Sequence, residues 1–443
     1  MGSLAEKRVA AIFLAIVAAG PLLVLACDTD NGDTAHGPDI GALPDSGRRR
    51  LPDGAIVEAD GAPVVGDDDD IAGDDDDVTE GGPTSCAAGG IAALVAGNDG
   101  ALTGAVRNKG GAWVSAAIGG GGAKSKPSLV AFGAGFLGVT RGGGDALQSF
   151  SHDGTKWTGA TAIGTGGVKG PPTLAVAGTK AHVVFSGGAG TNTDYTHGIH
   201  DGTKWNAVTD LVGTGGEHSF GGVSAGLAAI GNDVFFAQNG SDQGLYARPY
   251  TGGSWKAAIA VTGAGTVGTD PLVPATIATP EVVALKGKYD LVIIYEYKKQ
   301  QPSDPNAIAY ATHEPGGTPE WGNPDTKFVS GGLSGEKFNA AALGDTSLAL
   351  AFKGDDGNGY YSIGTATTDA ASPINWTAPA PIGGSPTPVD TAPAVAKGDC
   401  GNDAIFAFQS GGKVKVTSVR GGAFTAIAEV PGVSGPNVAI ATR

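Results

Sequence analysis

His152-Asp153-Gly154-Thr155-Lys156-Trp157 recurs without change as His200-Asp201-Gly202-Thr203-Lys204-Trp205, 48 residues further on. Looser copies keep the same order, small turn residues and then an aromatic. They are Lys109-Gly110-Gly111-Ala112-Trp113, Thr251-Gly252-Gly253-Ser254-Trp255, stretches ending at Trp321 and Trp376, and Arg420-Gly421-Gly422-Ala423-Phe424. All six tryptophans of the chain belong to this set, and Phe424 supplies its seventh member. Successive members stand 44, 48, 50, 66, 55 and 48 residues apart. A period of about 40 to 50 residues with a Gly/Trp signature marks the blades of a β-propeller.

Each repeat reads as four short strands. Strand a begins near a proline and is small and apolar, as in Pro127 to Ala131, Pro172 to Val176, Pro280 to Ala284 and Pro393 to Ala396. Strand b is the most apolar piece: Phe136 to Thr140, His182 to Phe185, Val234 to Ala237, Leu291 to Tyr295, Leu348 to Phe352 and Ala404 to Phe408. A polar turn leads to strand c, and a Gly-Gly or Asp-Gly turn leads to strand d at the aromatic. Apolar runs this short, bounded by glycine, do not suit helices. The 77 glycines fit a chain whose turns are nearly all tight. The expected fold is therefore all-β: a seven-bladed propeller of four-stranded blades over residues 86–443. Pro436 to Ala441 has the strand a pattern with no strand b, c or d after it, and the first repeat begins at strand b, Ile91 to Ala96. A C-terminal strand that completes the first blade would close the ring without an exposed edge. Pro83 stands 30 residues before Trp113, as Pro127 stands 30 before Trp157, so a strand near Cys86 is the alternative.

The Asp-Gly-x-x-Trp element resembles a shortened Asp box of sialidase-type propellers, with Ser151, Asp153, Gly154 and Trp157 as its members. It also resembles the blade repeat of bacterial fucose-binding propeller lectins. The first resemblance implies that Trp113, Trp157, Trp205, Trp255, Trp321, Trp376 and Phe424 are structural, packed between blades; the second implies sugar-stacking platforms. Sialidase chemistry does not carry over. That family uses three arginines and an Arg-Ile-Pro motif, whereas residues 86–443 hold only Arg107, Arg141, Arg248, Arg420 and Arg443, and no Arg-Ile-Pro.

Aligned strand b ends give Gly97, Arg141, Ser186, Gln238, Glu296, Lys353 and Gln409 in blades one to seven. In a propeller these lie around one mouth of the channel, and their variety points to one asymmetric polar site there. The alternative is that any strand turns polar where it meets solvent. Tyr195, Tyr246, Tyr310, Tyr360 and Tyr361 stand at the starts of strands c, and such a surface suits a sugar or peptide ligand. Catalysis by Glu296 would need a second acid at a set distance. Asp355-Asp356-Gly357-Asn358-Gly359 lacks the alternating ligands of a calcium loop, and His197 and His200 have no clustered partners. No Gly-x-Ser-x-Gly elbow or phosphate loop occurs. No cofactor or metal is expected.

Upstream, Lys7 and Arg8 precede the apolar run Val9 to Ala26, which ends at Val24-Leu25-Ala26-Cys27. That reads as an export signal over residues 1–26. It resembles the lipobox of bacterial lipoproteins, which implies lipid on Cys27 and an envelope location, periplasm or cell surface. Residues 28–85 carry 17 acidic and three basic side chains, a net −14, including Asp67 to Asp70 and Asp74 to Asp77. With no aromatics and mutual repulsion, residues 27–85 are expected to form a disordered acidic tether. The remaining residues 86–443 are near neutral, with 26 acids and 23 bases, so they offer no footprint for nucleic acid. Cys86 and Cys400, an even pair in an exported chain, suit a disulfide, with two buried thiols as the alternative. The expectation is a lipid-anchored binding module for glycans or a cell-surface partner. The alternatives are a glycan-active hydrolase or lyase, or an envelope scaffold.

Overall fold

Proline opens the inner strands. Pro127, Pro172, Pro280, Pro393 and Pro436 each stand one residue before a strand a: Ser128–Phe132, Thr173–Ala177, Glu281–Ala284, Ala394–Lys397 and Asn437–Thr442. Proline has no N–H to give to a ladder, so pairing starts at the next residue. A computed structural model of the chain describes residues 48–50, 56–58 and most of 91–443. Within the latter, 99, 109–110, 165–166, 188–194, 207–208, 212–224, 240–244, 262–278, 298–305, 318–319, 323–328 and 399–402 lie outside the described residues. So do the leader, Cys27, and the Cys86–Cys400 pair.

The chain divides into two units, Met1–Gly81 and Gly82–Arg443. In the first, Arg48–Arg50 pairs antiparallel with Ile56–Glu58. Pro52-Asp53-Gly54, a turn sequence, stands between the triple arginine and Ile56-Val57.

The second unit is a ring of seven antiparallel blades. Blade two shows the pattern: Ser128–Phe132, Gly135–Arg141, Leu147–His152 and Thr161–Ile163 pair in chain order. Blade one takes its strand a from the other end of the unit. Asn437–Thr442 pairs with Ile91–Asn98 from Ala92↔Thr442 to Gly97↔Asn437, followed by Ala101–Asn108 and Val114–Ala117. Closure by the last strand is thus the correct alternative. The seven strands a neighbour one another in turn around the channel.

Blades five and six are joined in a way that the repeat did not show. Val329–Ala342 is one strand: Val329 pairs with Ile308 in blade five, and Phe338 to Ala342 pair with Phe352 to Leu348 in blade six. One strand therefore serves as d of one blade and a of the next. The strands b also run further than the apolar runs alone indicated. They end at Asn98, Arg141, Ser186, Asn239, Tyr297, Gly354 and Ser410, so every proposed mouth residue is a ladder member. Backbone pairing continues past the last apolar side chain because it is indifferent to side-chain polarity.

Seven apolar clusters fill the seven junctions between neighbouring blades, and each takes in one repeat aromatic. Trp157 of blade two packs with Leu102 and Val106 of blade one, Trp205 with Leu137 and Val139, Trp255 with Val184 and Phe236. Trp321, Trp376, Phe424 and Trp113 repeat the arrangement in the remaining junctions. Each aromatic thus packs as a wedge against the preceding blade. A buried aromatic brings a large apolar area to the junction.

Candidate functional site

Strand b residues meet the face that carries the b-to-c loops, and there the structure ties most of them down. Arg141 donates from Nε and Nη2 to Asp145 Oδ1 at 3.1 and 2.8 Å, and from Nη1 to the Lys169 carbonyl at 2.8 Å. Asp145 is a non-glycine residue at φ 59°, in the left-handed region. The Arg141 guanidinium beside it holds its carboxyl below the usual range. Lys353 Nζ donates to the Asp390 carbonyl at 3.2 Å. Arg141 and Lys353 thus serve separate local bonds, and neither reaches Glu296. Ser186, Gln238, Glu296 and Gln409 are buried. Tyr195 is buried edge-on against Phe236 at 4.9 Å, and that burial pushes its hydroxyl far up. Tyr360 donates its hydroxyl to Asp356 Oδ2 at 2.7 Å. Tyr310 lies inside its strand opposite Ile294, not at its start.

The c-to-d turns lie on the opposite face, and the two identical motifs adopt identical geometry. Asp153 Oδ1 accepts from Thr155 N, Thr155 Oγ1 and Lys156 N at 2.8, 2.6 and 2.9 Å. Asp201 Oδ1 does the same for Thr203 and Lys204 at 2.9, 2.7 and 3.0 Å. These donors hold both carboxyls well below the usual carboxylate range. Gly154 and Gly202, at φ 100° and 103°, occupy a region that a side chain would strain. His152 Nδ1 accepts from Gly154 N, and His200 Nδ1 from Gly202 N, each at 3.1 Å. A ring nitrogen that accepts carries no proton, so each neutral imidazole bears its proton on Nε2. Burial holds both pKa values below the ordinary histidine value.

Two clefts open beside these turns at equivalent places in the ring. In each, strands c and d of one blade face the aromatic turn of the next. The cleft between blades two and three has a volume of about 910 Å³, and its lining includes Phe132, His152 and Asp153 from one side and His200, Lys204 and Trp205 from the other. Phe132 and His200 meet edge-on at 5.4 Å. The cleft between blades seven and one measures about 650 Å³ and is lined by Arg107 and Trp113 against Asp403, Arg420, Phe424 and Glu429. Arg107 lies 5.3 Å over the Trp113 ring, and Arg420 Nε donates to Asp403 Oδ2 at 2.8 Å. Both clefts combine an aromatic wall with polar and charged groups, the composition of small-ligand sites. Alignment of strand b ends missed them because neither cleft is built from strand b ends. The signal that could have found the cleft between blades two and three is the exact repetition of His-Asp-Gly-Thr-Lys-Trp in those two blades.

No protein-family model matches the chain, and no curated protein sequence matches it. Among solved structures it is similar to AofleA from Arthrobotrys oligospora, at 14% identity over 72% of this chain and 89% of that one, with a TM-score of 0.45. It is similar to the Aleuria aurantia lectin, described as a six-bladed β-propeller with a novel fucose recognition mode. There the identity is 15%, over 68% of this chain and 97% of the lectin, with a TM-score of 0.42. It is also similar to the NanB sialidase of Streptococcus pneumoniae, at 11% identity over 64% and 65% of the two chains, with a TM-score of 0.44.

Proposed function

We propose that this chain is an exported, lipid-anchored binding module that holds glycans in the clefts between neighbouring blades. The observation that carries the reading is the pair of equivalent clefts, about 910 and 650 Å³, each with a tryptophan beside charged and hydrogen-bonding side chains. Sugar rings stack their C–H faces on aromatics and give their hydroxyls to such groups. The anchor rests on Lys7, Arg8, the apolar run to Ala26, and Cys27. The acidic segment behind it, 58 residues long, has a coil span on the order of 40 Å, enough to hold the propeller clear of a membrane surface.

A glycan array with the purified protein tests the first part. Discrete binding of a few glycans is expected, with Trp205→Ala weakening the affinity of the cleft between blades two and three more than tenfold and Arg420→Ala that of the cleft between blades seven and one, each leaving the other cleft able to bind. Uniform binding or none across the array overturns the reading. The triple variant Arg141→Ala/Glu296→Ala/Lys353→Ala separates cleft from mouth, since cleft binding survives it and mouth binding does not. Palmitate labelling tests the anchor: the wild-type chain incorporates label in bacteria and Cys27→Ser does not.

A further inference from the structure

His197 and His200 stand three apart on strand c of blade three, Tyr195–His200, so they point to opposite faces of the sheet. His200 faces the cleft toward blade two. His197 faces blade four and belongs to a buried chain of three rings that the binding reading does not use. The Trp255 indole donates from Nε1 to His197 Nδ1 at 3.2 Å, and His197 Nε2 lies 3.0 Å from His182 Nδ1. The two imidazoles lie edge to edge in nearly parallel planes, their centroids 5.2 Å apart, and Tyr250 packs on both at 5.3 and 5.1 Å. His182 and His197 come from blade three, Tyr250 and Trp255 from blade four.

The direction of the first bond decides the rest. An indole N–H only donates, so His197 Nδ1 accepts and carries no proton. The neutral His197 then holds its proton on Nε2 and donates to His182 Nδ1, and His182 holds its own on Nε2. Two hydrogen bonds are satisfied by two protons, and every contacting position is assigned. A further proton on His182 Nδ1 would face the His197 Nε2–H. A further proton on His197 Nδ1 would face the Trp255 N–H. Each addition breaks one bond of the chain and places a cation in a buried junction. Among the described residues nothing compensates that charge: Lys180, on the strand of His182, is itself cationic, and no carboxylate acts on either ring.

We propose that the Trp255–His197–His182 chain is an acid-sensitive clasp between blades three and four, closed at neutral pH and released when one proton enters it. Burial, with the help of Lys180, holds His182 at about 4, and burial with the neighbouring His182 holds His197 at about 3. Both lie below the unfolded value, so the unfolded chain binds more protons across that interval and stability falls as pH drops below about 6.5. The clasp contributes fully above that pH.

Denaturant unfolding of the full chain from neutral pH down to about pH 4.5 tests this, with His182→Gln/His197→Gln beside the wild type. Below about pH 6.5 the wild-type unfolding constant is expected to rise about tenfold per pH unit for each clasp histidine, a steepness the double variant lacks. Equal pH slopes in the two proteins overturn the clasp. Because the variant itself can fail to fold, nitrogen-15 spectra of the wild-type histidines give a second reading. Both rings are expected as neutral Nε2–H tautomers at neutral pH; an Nδ1–H tautomer of His197, or a doubly protonated ring, overturns the proposal.

Discussion

Trp157→Ala is expected to cost about 3 kcal/mol of stability, read as a lowered denaturant midpoint with an unchanged cooperative transition. That value is the low end of the range for tryptophan truncation in a core, because part of this ring remains exposed. The ring sits flat against blade one: a Cβ on Gly104 would lie 2.4 Å from Trp157 Cε2 and 2.7 Å from its Nε1. Removal of the indole therefore leaves a gap bounded by two stiff sheets, which cannot collapse as a helix pair can. The complementary change, Gly104→Ala, overpacks the same junction and is expected to cost about 1–3 kcal/mol. In the double variant the new methyl occupies space the indole has left. Its loss should be smaller than the sum of the two single losses by at least about 1 kcal/mol. Strict additivity would mean that the ring does not act as the wedge of this junction.

Truncation before Asn437 is expected to abolish cooperative folding. The strand supplies six ladder partners to Ile91–Asn98, from Ala92↔Thr442 to Gly97↔Asn437. It buries Val438, Ala439, Ile440 and Ala441. Its neighbours in the ring are Ala394–Lys397 and Ser128–Phe132, so its loss opens both junctions of blade one. Burial of Val438 and Ile440 alone is worth roughly 3–6 kcal/mol, a large part of the about 5–15 kcal/mol that keeps a domain folded. The edge left behind is a flat, unpaired apolar strand, the surface that drives aggregation. A circular permutant that places residues 436–443 ahead of Ile91 restores the strand to the same ladder. It is expected to fold and to unfold in one transition. Failure of the permutant, or a well-folded truncation, would mean that closure is not what this strand provides.

How much of this could be read in advance differs between fold and site. Blade number and strand order were legible because they are local chemistry repeated: a proline before strand a, an apolar strand b, a tight turn and an aromatic. The continuous strand Val329–Ala342 was not legible, since nothing in its residues distinguishes a d strand followed by an a strand from one strand doing both. The mouth residues lie at the expected end of their strands, where Arg141 and Lys353 hydrogen-bond within the face. A side chain's polarity shows that it seeks a partner; only the fold shows that Asp145, or the carbonyls of Lys169 and Asp390, already provide one.

The sequence by itself determined seven blades and the tight turn and aromatic in each, because these are set by residues close in the chain or by a period that counts itself; which strand closes the ring and where the aromatics pack were settled by pairing and packing between distant residues. The tertiary structure alone decided where polar groups from different blades converge. The clefts at Trp205 and Trp113 and the histidine chain at Trp255 all span junctions, and the rotation between neighbouring sheets selects which side chains meet there. That rotation is a property of seven packed sheets together, and no single repeat contains it.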